Sequence, residues 1–325
     1  MSISAASDPC WILTDGRAGN LRQARARAAA LVEAPAREFT LDTRAPWRWL
    51  APRRLPGSDQ AWGREFARSL QNQPRLVVGC GRQAALATRV LRTRGSRAVQ
   101  ILDPRMGSRH WDAVVVPEHD RLRGSNVHTV LGSLNPIDDD WLARARMQWS
   151  ALGRLPGPRV LVLLGGPVRA VPLDADWWRD VRDELQGWKA RTGGSLMLSC
   201  SPRTPAWLAE AARQSWPEWD GLRWCGATDG DNPYPGMLAW ADLIVVSPDS
   251  VNMISEACAT SAAVWVPGVE HCSGRQGLFL DRLLALGRIG PLPDLPPSTP
   301  CTPLRGIEAL SHRLRQALQL PPPRS

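Results

Sequence analysis

Strands alternate with helices along most of the chain, and a Pro/Gly break separates two such series. These two observations predict an α/β fold of two Rossmann-like domains whose parallel sheets face a central cleft. The recurring unit is a short apolar run, a turn rich in Gly, Asp, Ser or Pro, and then a segment of helical periodicity. It occurs as CWILT (10–14), DGRAGN and LRQARARAAALV, and again as RLVVGC (75–80) and GRQAALATRVL. VQILD (99–103) and WDAVVV (111–116) add two strands. A helix is predicted from about Asp138 to Leu152. The acids of its opening DDD complement the helix dipole, a simpler account than a metal site.

The stretch LGRLPGPR (152–159) reads as a linker, after which the pattern restarts. RVLVLLGG (159–166), SLMLSC (195–200), RWC (223–225), LIVV (243–246) and AVWV (263–266) are the strands of the second series. Helices are expected from Asp174 to Thr192 and from Pro205 to Gln214, and a final amphipathic helix over Leu304–Leu320 follows a Pro-rich piece. The expected division is an N-terminal Rossmann-like domain over 1–153, joined by the C-terminal helix 304–325, and a nucleotide-binding Rossmann-like domain over 154–303.

A length of 325 residues fits two domains, and 43% hydrophobic with 22% charged residues fits a soluble protein. No apolar run approaches the roughly 20 residues of a membrane span. The N-terminus MSISAASDPCWILT lacks the basic and apolar regions of a secretory signal, so a cytoplasmic location is expected. The net charge is +9, and Lys189 is the only lysine. A positive field attracts phosphorylated ligands and anionic lipid alike. No recognition motif for nucleic acid accompanies the charge, so nucleic acid is not expected, whereas a peripheral contact with anionic membrane stays open. The seven cysteines form no CxxC pair and read as reduced. No histidine lies at metal-ligand spacing from another, so neither a metal nor a cofactor is expected. The sixteen tryptophans read as core and interface bulk.

The most informative stretch is DLIVVSPDSVNMISEACATSAAVWV (242–266). LIVV is a buried strand that Pro248 ends, and Asp249 or Ser250 can cap the helix that follows. Val251, Ile254 and Cys258 should face the sheet, leaving Asn252, Ser255 and Glu256 on the other side. A helix that starts at the carboxyl end of a parallel strand offers unpaired N–H groups to a phosphate. A carboxylate about two turns in can accept from both hydroxyls of a ribose. The competing reading makes Glu256 a solvated surface acid.

Other strand ends offer further candidates. The loop Thr14-Asp15-Gly16-Arg17-Ala18-Gly19-Asn20, with Gln23, suits either a phosphate or sugar, through Gly16, Gly19 and Asn20, or simply a tight turn. Gly79, Gly81 and Arg82 form a second such turn. Asp103-Pro104-Arg105 and Pro117-Glu118-His119-Asp120 follow consecutive strands. His119, Asp120 and then Asp15 are the candidate bases, although His119 could equally fix a loop. Ser201, Arg203 and Thr204 follow SLMLSC, where Arg203 could neutralise a leaving diphosphate. Gly165 and Gly166 end the first strand of the second series and can approach a ligand closely. DGDN (229–232) mimics the start of a calcium loop, but Tyr234 stands where that loop demands glycine.

The stretches WILTDGRAGNLRQ, DPRMGSRHWDAVVVPEHDRLRGSNV, SCSPRTP and SPDSVNMISEAC together resemble the mitochondrial fission (elongated mitochondria) family, over about Trp11 to Leu286. That family has bacterial members described as predicted nucleoside-diphosphate-sugar epimerases, and it is similar in architecture to GT-B glycosyltransferases. The resemblance implies a GT-B-like fold and a nucleotide-sugar held by Ser247, Asp249, Ser250 and Glu256, and Asn252 is a further nucleotide-binding candidate from its place on the same helix face as Glu256. It also places Arg275, in SGRQGLF, where the family often has lysine. Two functions follow from it. One is a metal-independent glycosyltransferase or nucleoside-diphosphate-sugar epimerase. The other is a non-catalytic scaffold that recruits a protein partner.

Overall fold

In the computed structural model the described residues are 9–320, apart from 33, 169, 170, 172 and 297. The chain divides into two compact units, one reaching Pro136 and resuming at Gly306, the other spanning Ile137–Arg305.

The first unit is built from β1 (Cys10–Thr14), α1 (Ala18–Leu31), β2 (Arg37–Thr40), α2 (Trp47–Leu50), α3 (Gly63–Ser69), β3 (Leu76–Cys80), α4 (Arg82–Arg92), β4 (Arg97–Ile101), β5 (Ala113–Pro117) and β6 (Val127–Val130). Its sheet is parallel throughout, in the order β2-β1-β3-β4-β5-β6. The central strands are wholly buried, which is why they read as continuous apolar runs. The edge strands β2 (REFT) and β6 (VHTV) give no apolar run, since all their residues but Val130 are exposed or half-buried. Helix α11 (Ile307–Leu318) belongs to this unit. Its Leu310, Leu314 and Leu318 repeat every four residues and join one core with Ala24, Ala28 and Leu31 of α1.

The second unit contains α5 (Asp139–Gln148), β7 (Arg159–Leu164), α6 (Ala175–Thr192), β8 (Ser195–Cys200), α7 (Ala206–Gln214), β9 (Gly221–Trp224), α8 (Tyr234–Trp240), β10 (Leu243–Val246), α9 (Val251–Cys258), β11 (Ala263–Trp265) and α10 (Gly274–Ala285). Its five parallel strands run in the order β11-β10-β7-β8-β9. Trp178, Trp188, Trp216 and Trp219 fill one face of the core, as the tryptophan-rich composition suggested.

The boundary between units lies at Pro136/Ile137, not at the linker expected over 152–159. Helix α5 is the reason. Arg146 Nε donates to the Ala239 carbonyl of α8 at 2.8 Å, and Trp240 Nε1 donates to the Trp149 carbonyl at 3.1 Å. A Cβ on Gly236 would meet Trp149 Cβ at 2.3 Å, so only glycine admits this packing of α8 against the end of α5. Asp138 caps α5 by accepting from the Trp141 N–H at 2.7 Å, and Asp139 pairs with Arg305. The DDD run is thus a helix start.

Candidate functional site

Strand order singles out one place in each sheet. In the second unit the chain runs from β7 outward through β8 and β9, then returns to the other side of β7 with β10 and β11. The order therefore reverses between β7 and β10, and such reversal points open a crevice beyond the carboxyl ends of the strands. The loops there are Gly165-Gly166 after β7, Ser201–Thr204 after β8 and Ser247–Ser250 after β10. Three of the sequence-predicted clusters converge at this point.

Asp249 is the hub. Its side chain has no solvent exposure. Oδ1 accepts from Ser247 Oγ at 2.7 Å, while Oδ2 accepts from the Gly166 N–H at 3.0 Å and from Arg203 Nη2 at 2.9 Å. The Gly165 N–H donates to Ser247 Oγ at 2.8 Å, closing the ring. A Cβ on Gly165 would sit 2.1 Å from Asp249 Oδ1, and one on Gly166 would sit 2.2 Å from the Arg203 carbonyl. The close approach expected at these glycines is therefore made by the protein's own carboxylate and backbone. Burial raises the Asp249 carboxyl above its ordinary range, opposed by the hydrogen bonds from Ser247 and Gly166 and the charge of Arg203. Arg203 itself is half exposed, so part of its guanidinium faces solvent.

The remaining hydroxyls brace the loops. Thr204 Oγ1 accepts from the Ser201 N–H at 2.9 Å and donates to the Leu164 carbonyl at 2.8 Å. This engages Thr204 within the protein, where the sequence had offered it to a phosphate. Ser250 is the N-cap of α9, accepting from the Met253 N–H at 3.3 Å. Gln276 Nε2 donates to the Pro248 carbonyl at 2.5 Å and ties the start of α10 to the same turn. Arg275 is exposed on the first turn of α10.

Glu256 is only 4% exposed, which overturns its reading as a solvated acid. It accepts a hydrogen bond from the phenolic hydroxyl of Tyr234, the one tyrosine of the chain. Ile254 and Cys258 are fully buried as expected, but Val251 and Asn252 are half-buried and the rest of α9 is buried on every side. The roles of Tyr234 and Gln276 were not legible in sequence, because their partners, Glu256 and Pro248, lie more than twenty residues away.

In the first unit the order reverses between β1 and β3. There Asp15 Oδ1 accepts from Asn20 Nδ2 at 2.9 Å and from the Arg17 N–H at 3.2 Å. Gly16 has φ +79°, and a Cβ on it would meet Thr40 at 2.9 Å. A Cβ on Gly81, at φ +90°, would lie 3.0 Å from Asn20 Nδ2, so the turns after β1 and β3 touch. Gly19 and Asn20 belong to the first turn of α1, not to the preceding loop as the sequence suggested. Arg82 leaves this turn and donates to the carbonyls of Arg48 and Trp49. His119 is half-buried and Asp120 buried in the loop after β5, where Arg123 donates to the carbonyls of Glu118 and Asp120. Asp15 and His119 leave the sheet three strand spacings apart, about 14 Å. The three candidate bases thus form two separate places, Asp15 in one and His119 with Asp120 in the other.

The two-sheet α/β architecture is GT-B-like. A UDP-GlcNAc 2-epimerase from Methanocaldococcus jannaschii superposes with a TM-score of 0.58 at 12% identity, covering 95% of this chain and 99% of that one. The UDP-GlcNAc 2-epimerase of Neisseria meningitidis, solved with UDP-GlcNAc bound, gives 0.50 at 10% identity over 95% and 99%. Both are likenesses of fold. In sequence the chain is 30% identical over 281 residues to the mitochondrial fission protein ELM1 of Arabidopsis thaliana, covering 75% of this chain. It spans 64% of that relative's length. The profile of the family described as Mitochondrial fission ELM1 matches residues 18–318, and the chain belongs to that family.

Proposed function

We propose that the second unit binds a nucleoside-diphosphate-sugar at the β7/β10 reversal point and that the protein is a glycosyltransferase or sugar-nucleotide epimerase that works without a metal. The observation that carries this reading is that Arg203 pairs with Asp249 just ahead of the N-terminus of α9, the helix that carries the buried Glu256. The first four N–H groups of a helix lack intrahelical partners, and the helix dipole adds positive potential there. The exposed side of Arg203 supplies a fork for phosphate oxygens, and Arg275 adds charge nearby on α10. Glu256, two turns in, accepts from ribose hydroxyls, with Asn252 on the same face; Tyr234 fixes its orientation. A departing diphosphate is stabilised by these fixed dipoles and cations. On the first unit the candidate bases are His119, Asp120 and Asp15, and the Gly16–Asn20 turn is a candidate phosphate or sugar contact. That the two fold neighbours are UDP-GlcNAc 2-epimerases supports the choice of ligand class. The location in this reading is the cytoplasm, with peripheral contact at an anionic membrane.

Thermal shift against a panel of nucleotide-sugars tests it. Stabilisation by a uridine or guanosine diphosphate-sugar, lost in Glu256→Ala, is the expected result.

A second reading has a specific observation behind it. The hydroxyls of Ser247, Ser250 and Thr204 already serve their own loops, and Asp249 already pairs with Arg203. A family member that kept the fold and lost catalysis would look the same and would act as a scaffold recruiting a protein partner. No shift with any nucleotide-sugar favours this alternative.

A further inference from the structure

We infer that residues 47–55 of the first unit form a docking surface for an anionic phospholipid bilayer. Between Asp42 and Asp59 the chain carries Arg44, Arg48, Arg53 and Arg54 and no acidic residue. On the same short segment Trp49 is 72% exposed, and Leu50 and Leu55 are exposed as well. A tryptophan held this far into solvent contributes nothing to the core, and the outward side chains mix an indole, two leucines and arginines. That is the composition of a membrane interface, where indole sits at headgroup level and basic side chains meet lipid phosphates.

The segment is pinned from below by its backbone, so its side chains are presented and not merely loose. Arg82 Nη2 donates to the carbonyls of Arg48 and Trp49 at 2.9 and 2.8 Å, and Gln83 Nε2 donates to the Arg48 carbonyl at 3.0 Å. Arg89 Nη1 donates to the Pro52 carbonyl at 2.5 Å. Arg105 joins Trp49, Pro52, Arg53 and Arg82 around a shallow depression beside the loop. Burial and then the neighbouring Arg89, Arg109 and Arg92 hold the His110 imidazole below its ordinary value. Asp59, the acid at the segment's edge, is already paired with Arg94 at 3.0 Å.

Charge decides among occupants. A second copy of this chain carries the same +9 and repels, whereas an anionic bilayer supplies a dense layer of phosphates and an apolar interior for Trp49 and the leucines. Among the described residues no helix is long and apolar enough to cross a membrane, and α2 has four residues, so the contact is a loop lying in the interface. The inference is independent of what the second unit binds.

The test is co-sedimentation of the full chain with phosphatidylcholine vesicles, with and without 30% phosphatidylglycerol. Wild type is expected to pellet with the anionic vesicles and to be released as salt rises. Arg53→Glu/Arg54→Glu should lower the partition coefficient at least about tenfold and flatten its salt dependence. Trp49→Ser should lower it several-fold while leaving the salt dependence unchanged. Both changes lie on exposed side chains, and unchanged melting temperatures would confirm folded variants. Equal pelleting with neutral and anionic vesicles, no pelleting, or wild-type partition by either variant would overturn the proposal. So would binding to a single-stranded oligonucleotide but not to vesicles.

Discussion

Arg203 reaches from the loop after β8 to the carboxylate of Asp249, on the loop after β10, and their 2.9 Å contact spans the strand between them. One partner is half exposed and the other is sealed from solvent. The pair is neutral, so attraction for an anion must come from the outer side of the guanidinium and from α9, not from the pair's net charge.

Removing Arg203 separates two effects. In Arg203→Ala, affinity for uridine diphosphate is expected to fall about tenfold or more, as for loss of a charge-assisted hydrogen bond, while uridine binding changes little. Calorimetry with both ligands checks this, and equal losses would remove Arg203 from the phosphate site. The same change alters the dependence of stability on pH. Burial already raises the Asp249 carboxyl, and without Arg203 it rises further. A raised acid contributes stability at pH below its unfolded value and loses it as pH climbs through the folded value. The variant should therefore match wild type near pH 4 and fall behind above it. The deficit at pH 8 should be about 0.5–1 kcal/mol, small because Arg203 is half exposed. Urea denaturation at the two pH values reads the difference.

Gly165→Ala should break the hub without touching any charge. The new Cβ would fall 2.1 Å from Asp249 Oδ1, a carboxylate held on both oxygens, so the carboxylate or the strand end must move. Overpacking of this kind costs about 1–3 kcal/mol. Gly107→Ala is the control, because nothing lies within 4 Å of its Cβ position and its φ of −53° suits alanine. Denaturant midpoints of the two variants should differ clearly. A neutral Gly165→Ala would show that the loop relaxes freely.

How much of this site was legible in sequence depended on distance along the chain. The strand LIVV, the Pro248 stop and the Ser250 cap are local events, and they stand where the residues put them. The glycines at 165 and 166 were legible as points of close approach, but the approaching groups, Asp249 and the Arg203 carbonyl, come from distant loops, and no local pattern names them. Buried central strands announced themselves as apolar runs, whereas β2 and β6 did not, since an edge strand is not forced to be apolar.

Tyr234 and Glu256 test whether α9 carries a positioned carboxylate. Hydrogen bonds to charged groups contribute about 1.5–3 kcal/mol, so Tyr234→Phe should lower stability by roughly that amount and leave the fold intact. If Glu256 receives ribose hydroxyls, the variant should also weaken nucleoside diphosphate binding several-fold, through a carboxylate that has lost its orientation. Glu256→Gln keeps the shape and an acceptor oxygen, and should bind more weakly than Tyr234→Phe. Isothermal titration of the three proteins ranks them, and wild-type affinity in Glu256→Gln would sink the ribose role.

Cys200 and Cys225 place their sulfurs 2.6 Å apart where β8 and β9 end, one loop away from Arg203. The hydrogen bond between them lowers the Cys225 thiol below its ordinary value, helped by the charge of Arg213, and raises Cys200. Burial opposes the shift at Cys225, and of the two thiols Cys225 is the one that gives up its proton at lower pH. The rate of Cys225 alkylation by iodoacetamide should then rise with a midpoint below the usual thiol range of about 8.5. In Cys200→Ala the donor is gone, and the midpoint should move upward while the Arg213 contribution remains. Peptide mapping after timed labelling follows Cys225 separately from Cys272 and Cys301. A midpoint unchanged by Cys200→Ala would mean that the two sulfurs titrate independently.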